Sequence, residues 1–428
     1  AGRNRNNKKG SRMILRLATG SLLARSLTVG MTILSIALSV ALFLGIEKVR
    51  TGARASFADT ISGTDLIVGA RSGSVQLLLY SVFRIGNATN NVTWQSYQDI
   101  AARSEVDWIV PISLGDSHRQ FRVMGTVKAF FERYKYRGDR ALTFAQGHGL
   151  NDLYDAVIGA DVAQALGYAV GDPIVVSHGL ASFTQHDDQP FRVAGIVTKT
   201  GTPVDRTVII SLEAIEAIHV DWQGGALAGG QTTPVDAIRQ MDLTPTAITA
   251  AMVGVSSRLD IFGLQRWINE YPQEPLLAVL PGVALQELWQ IVRVAETALV
   301  AVSGMVVVTA LLGMMAMIFS SLNERRREMA IWRAMGASPA TILGLMVLEA
   351  ALMAAIGAAL GFALLYAGLW IAQPMVDAAF GLWLPIDEPS GREFAVLAAV
   401  VLAAAVASLV PALRAYRLSL ADGMIVRI

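Results

Sequence analysis

The sequence predicts an α-helical membrane protein with four transmembrane helices, both termini cytoplasmic, and a large mixed α/β extracytoplasmic domain between the first and second spans. Three observations predict it. The 428 residues are 53% hydrophobic and 16% charged, and Ser26–Ile46, Thr297–Asn323 and Phe394–Leu413 run 21, 27 and 20 residues without a charge. Each reaches the roughly 20 residues that cross a bilayer. A fourth apolar stretch, Ala340–Leu369, is interrupted only by Glu349. Strand-like and helical patterns fill the long segment after the first span. Finally, the charge is unevenly placed, with Lys and Arg gathered on one side of the spans.

That asymmetry sets the orientation. The first 25 residues hold seven Lys/Arg and no acid, segment 324–333 has four Arg against two Glu, and residues 414–428 have three Arg against one Asp. Residues 373–393 carry one Arg against four acids. The termini and the 323–339 segment are therefore expected inside, and the large domain and the acidic 371–393 loop outside. The net charge of +1 masks this pattern and gives no reason to expect nucleic acid. The absence of cysteine is compatible with an oxidising compartment but decides little.

Residues 1–25 form the cytoplasmic N-terminus. Within them Met13, a candidate start, through Arg25 sets Ile14, Leu15, Leu17, Leu22 and Leu23 against Arg12, Arg16 and Arg25. This is the pattern of a helix lying on the inner leaflet; a simple basic flank explains it equally well. The first span, 26–46, is read as uncleaved, because Gly45–Arg50 continues as an amphipathic helix instead of ending in a small-residue cleavage site. Lys48–Phe57 extends it as a stalk.

The outer domain, residues 47–290, alternates strands with short helices. Strands are expected at Asp65–Gly69, Trp108–Ile112, Phe121–Gly125, Ile174–Val176, Phe191–Val197 and Val208–Ser211. Helices are expected at Trp94–Arg103, Ala160–Leu166 and Leu212–Ile218. Ala247–Val255, Ser257–Tyr271 and Leu276–Leu280 read as strand, helix and strand. A Gly-rich stretch at 223–234 is a candidate hinge. From Val283 a helical pattern runs unbroken into the second span, 291–322. A helix over 283–322 would be about 60 Å long, more than the ~30 Å hydrocarbon core. The third span is 340–370, the fourth 394–413, and 414–428 is a cytoplasmic tail.

The inner segment NERRREMAIWRAMGAS has its own helical pattern. Glu324, Arg325, Glu328 and Arg333 fall at spacings that pair along a helix; Ala330, Ile331, Ala334 and Met335 form an apolar face, and Gly336, followed by Ala337, is placed to end it. A charged, partly apolar helix at a bilayer face is a surface for a soluble partner.

With these residues in view, the chain resembles the MacB/FtsX-like ABC transporter permeases, which include the lipoprotein-releasing permeases. Three stretches carry the resemblance: Glu324–Ser338; Val410–Met424, with Pro411, Ala412, Arg414 and Arg417 in place; and, in the outer domain, Val157–Val176 with Phe191–Val208. The tail departs from the family pattern at Leu420 and Asp422-Gly423, and Gly63–Asn91 matches no general family feature. The resemblance implies a homodimer in the bacterial inner membrane, its large domain periplasmic, bound by a dimer of a separate ABC ATPase. ATP and Mg would belong to that ATPase. The chain has no GxxxxGK[ST] phosphate loop, so no cofactor is expected in it and no enzymatic activity.

Single residues invite further readings. Glu349, an acid inside a span, is read as a structural or coupling residue near the inner interface. Gly357 and Gly361 form a GxxxG suited to a dimer contact or to packing within one subunit. His178, His186, Asp187 and Asp188 are weak candidates for a divalent metal, with solvated loop polarity the plainer reading; no metal is assigned. Gln76–Ile85 is either core or a surface for lipid, an apolar cargo or a periplasmic partner. The expected function is a permease that exports or extracts an amphiphilic or apolar cargo. The alternative is a non-transporting regulator that activates an extracytoplasmic partner such as a cell-wall hydrolase.

Overall fold

The computed structural model describes residues 26–178, 185–186, 189–223, 226–227, 233–380, 386 and 388–421. The leading 25 residues, most of the 223–234 hinge candidate, Asp187, Asp188 and the end of the tail lie outside the described residues. The chain divides into two compact units: one of residues 1–51, 294–372 and 385–428, the other of residues 52–293 and 373–384.

Four long apolar helices build the first unit, and each is long and apolar enough to cross a membrane. They are Ser26–Asp59, Pro281–Ala334, Pro339–Phe380 and Gly391–Ala421. The first buries Val29, Ile36, Val40 and Leu44, the second Ala310, Met314, Ile318 and Leu322, and the third Ile342, Met346, Ala350 and Met353. Spacings of three, four and seven put each set on one helix face. The opposite face of the first helix, with Leu27, Met31, Leu34, Leu38 and Leu42, is exposed, as suits lipid contact.

The helix Pro281–Ala334 is 54 residues long without a break, about 80 Å at 1.5 Å per residue. It continues through the charged stretch that the sequence places in a separate 323–339 segment. The reason is local: Glu, Arg, Met and Ala are strong helix formers, and neither Gly nor Pro interrupts them before Gly336.

The second unit is organised by one mixed sheet, eleven-stranded among the described residues. Its long strand, Val106–His118, does two jobs. Up to Ile112 it pairs antiparallel with Ala250–Val255, and from Ser113 it pairs antiparallel with Phe121–Thr126. Pro111 is tolerated just before the switch. Its carbonyl accepts from Thr126 Oγ1 at 2.7 Å, so its missing N–H falls on that side and removes no bond to Ala250–Val255. Outward from Ala250–Val255 the order continues through Leu66–Ala70 to Leu276–Val279, both antiparallel. On the other side Thr207–Ser211 runs parallel to Phe121–Thr126, then come Asp155–Ile158, Arg192–Val197 and Phe144–Gly147.

Alternation along these strands feeds separate cores on the two sheet faces. Phe121 and Val123 pack with Ile158, Val193 and Val208, whereas Met124 packs with Phe130, Tyr134 and Ile209. Gln76–Ile85 resolves into the helix Ser74–Ser81 and the start of a loop. Leu77, Leu78, Tyr80, Val82 and Phe83 are buried, and Ile85 is exposed. In this unit Phe57, near the end of the first long helix, packs against Phe83 and Trp289 at ring distances of 4.4 and 5.5 Å, and the Arg54 guanidinium lies over Trp289 at 5.4 Å.

Candidate functional site

The turn between the second and third long helices is tight and built by its sequence. Met335 N–H donates to Ile331 O and Gly336 N–H to Arg333 O, at 3.0 and 2.9 Å. Gly336 then takes φ +92°, a conformation that glycine adopts without strain. Ser338 caps the next helix, its Oγ accepting from Thr341 N–H at 3.2 Å, with Pro339 as the first helical residue. Met329 is buried in the helical core. Ile331 and Met335, one turn apart, point outward with 59% and 72% exposure, an apolar tip. Arg333 and Ala337 are half-buried and Gly336 is exposed. The side chains of Glu324, Arg325 and Glu328 lie outside the described residues.

Gly357 and Gly361 face the first helix of the same chain. A Cβ on Gly357 would stand 2.8 Å from Ile36 Cγ2, and one on Gly361 2.5 Å from the Ala37 carbonyl oxygen and 3.0 Å from Val40 Cβ. Two helices meet here almost backbone to backbone. Glu349 is buried on the same helix beside Ala350. Pro411 interrupts the amide ladder of the fourth helix, and Ala412 after it is fully buried. The Arg414 guanidinium stacks over Phe319 of the second helix at 5.8 Å; the Arg417 side chain lies outside the described residues.

A polar network at one end of the four helices escapes sequence reasoning. Arg50 of the first helix donates to both Glu47 oxygens at 3.1 and 2.8 Å and lies 3.8 Å from Glu296 of the second. Glu47 also meets Arg392 of the fourth helix at 2.8 Å. Lys48 donates to Glu393 of the fourth helix at 3.3 Å, and Tyr366 of the third donates to the same carboxylate at 2.8 Å. Four helices are thereby joined where each apolar stretch ends. The only signal in the sequence is a charge flanking the first, second and fourth spans; the pairing spans up to 345 residues.

In the sheet unit the two motif stretches Val157–Val176 and Phe191–Val208 converge. Asp205 is buried; its carboxylate accepts from Thr200 N–H at 2.9 Å, Thr200 Oγ1 at 2.8 Å and Gly201 N–H at 2.6 Å. Lys199 bonds Asp161 and lies 3.8 Å from Asp205. Burial raises the Asp205 pKa, against the lowering effect of these donors and Lys199. Gly159 sits so close to the turn that a Cβ there would collide with the carbonyl oxygens of Val204 and Asp205. The motif residues therefore hold a turn together.

His178 and His186 lie on two strands of one hairpin, where His186 stands opposite Val176; their side chains are outside the described residues. Among the described residues no three His, Asp or Glu side chains cluster as a metal would need. His118 is a structural histidine, bonded to Val175 O at 2.6 Å and Tyr168 Oη at 3.0 Å. The sheet unit also has a cleft of about 440 Å³ lined by Trp94, Leu153, Leu212, Met241 and Leu243 together with Glu213, Arg239 and Asp242. Arg239 is fixed there by Asp152, through two hydrogen bonds of 2.8 Å.

Residues 29–258 match the MacB-like periplasmic core domain, and residues 300–420 match the FtsX-like permease C-terminal domain. Among solved structures, the periplasmic region of MacB from Actinobacillus actinomycetemcomitans is 11% identical, with 54% of this chain and 94% of that one covered and a TM-score of 0.34. The extracellular domain of the noncanonic ABC-type transporter YknZ from Gram-positive bacteria is also 11% identical, with 50% and 99% covered and a TM-score of 0.29. No curated protein matches the chain.

Proposed function

Since this chain belongs to the MacB/FtsX-like family of ABC permeases, we propose that it is the membrane subunit of an ABC transporter driven by a separate ATPase. Two copies of the chain sit in a bacterial inner membrane, with the sheet unit in the periplasm and the Met335 turn in the cytosol. ATP binding by the partner moves the sheet unit, which exports or extracts an amphiphilic or apolar cargo. This chain contributes no catalytic group.

The observation that carries the reading is the unbroken helix Pro281–Ala334. It starts just after the strand Leu276–Val279 and ends one residue before Met335. A continuous helix resists bending because each turn is hydrogen-bonded to the next, so a push at one end is felt at the other. At the inner end, Ile331 and Met335 supply the apolar contact. Glu324, Arg325, Glu328 and Arg333 supply surrounding charge, and Gly336 with Ala337 shapes the turn. The cleft favours transport over a purely regulatory role. An apolar lining of Trp94, Leu153 and Met241 with a fixed Arg239 suits an amphiphilic molecule, whereas a regulator needs only a face for its partner.

Met335→Asp places a carboxylate at the centre of the docking tip. Affinity for the ATPase subunit should fall by about 30-fold or more, the usual consequence of losing a central interface residue, while the permease stays folded because the position is exposed. Co-purification and ATPase activity of the reconstituted complex read this out. Unchanged association would remove the tip as the docking surface.

A further inference from the structure

Arg84 lies in the loop that follows the helix Ser74–Ser81. It holds a left-handed backbone at φ 60°, strained for a residue with a side chain. Its Nε and Nη1 are shut off from solvent without a hydrogen-bond partner, and Nη2 points at the Met124 sulfur, a poor acceptor. Arg122 stands two residues before Met124 on the same strand, and so on the same sheet face. Its Nη1 donates to Asn87 Oδ1 at 3.0 Å. Among the described residues neither arginine meets a carboxylate. Burial first, and the like charge of Arg122 with it, lower the Arg84 pKa to about 10, against an opposing effect of Tyr134.

An enclosed guanidinium without acceptors is costly, and guanidinium donors beside an amide are a usual receptor for a tetrahedral or planar oxyanion. We propose that Arg84 and Arg122 form a binding site for a single phosphate-type oxyanion on the sheet unit, entered past the exposed Asn87. The anion replaces Asn87 at Arg122 and satisfies the Nε and Nη1 donors of Arg84. This site is separate from the coupling path, and its test does not depend on the ATPase.

The test is thermal unfolding of the full chain in detergent, followed by tryptophan fluorescence at matched ionic strength. Inorganic phosphate is compared with chloride in one arm, and dihexanoyl phosphatidylglycerol is added in the other. Wild type should gain stability with at least one probe. Phosphate alone sufficing identifies a free anion as the source, and a response confined to the lipid identifies a headgroup. Arg84→Met keeps the volume and removes the charge; it should abolish the response while unfolding no earlier than wild type in chloride. Arg122→Gln should weaken apparent affinity by about tenfold, the loss of one charge-assisted contact. No response to either probe, or equal responses in all three proteins, would overturn the proposal and leave Arg84 served by buried water alone.

Discussion

Leucine at position 361 is expected to prevent the four helices from assembling. The Gly361 Cβ position lies 2.5 Å from the Ala37 carbonyl oxygen and 3.2 Å from its carbon. Backbone atoms of a neighbouring helix cannot swing aside as the tip of a side chain can. The third helix must then move away from the first, and the contacts made by Ile36, Val40 and Ala358 loosen with it. Overpacking of this kind costs about 3 kcal/mol or more. Gly368 on the same helix has no atom within 4 Å of its Cβ position, so Gly368→Leu is the matched control. Size-exclusion profiles and unfolding midpoints in detergent should separate the two variants; equal stability would contradict the helix crossing described here.

Gly159→Val should be equally damaging in the sheet unit. Its Cβ would press on the carbonyl oxygens of Val204 and Asp205, in the turn whose amides the Asp205 carboxylate holds. Moving that turn unseats Asp205, a buried carboxylate, from three donors at once. The expected cost is again about 3 kcal/mol or more, seen as lost hydrogen-exchange protection over residues 191–211. Gly115→Ala, at an open position, should leave that protection unchanged. A protected turn in Gly159→Val would show that the two motif stretches do not depend on one another.

How far the sequence could be read follows from the range of each interaction. The four long helices were legible because the uncharged runs have no soluble explanation, and a strand such as Thr207–Ser211 because β-branched residues fill a short run. The strand Asp155–Ile158 was not read, since its four residues run directly into Gly159 and the helix Ala160–Leu166. The helix Ser74–Ser81 has only two turns and blurs into the buried Val82 and Phe83. Gly357 and Gly361 left two readings open; only the position of the first helix decides which surface they meet. The Glu47–Arg50–Glu296–Arg392 network and the Arg84–Arg122 pair join residues far apart in the chain, and no local pattern encodes such partners. The candidate docking tip was legible in part. Its apolar face and the Gly336 stop are written in local spacing, whereas its boundary with the second span is not, because the helix has none.

The central claim is that the helix Pro281–Ala334 carries the nucleotide state of the ATPase to the sheet unit. The chain has no cysteine, so Gln240→Cys, at an exposed position of the sheet unit, gives a single labelling site. Spin-label distances between two copies in a nanodisc-reconstituted complex with the ATPase should be measured without nucleotide and after ATP turnover with vanadate, which traps ADP–vanadate in the ATPase. The distance distribution should shift on trapping in the otherwise wild-type protein. It should stay fixed when Ala298→Pro, at an exposed position, breaks the helix by removing an amide and crowding the Val294 carbonyl. A shift of the same size with the helix broken would contradict the account.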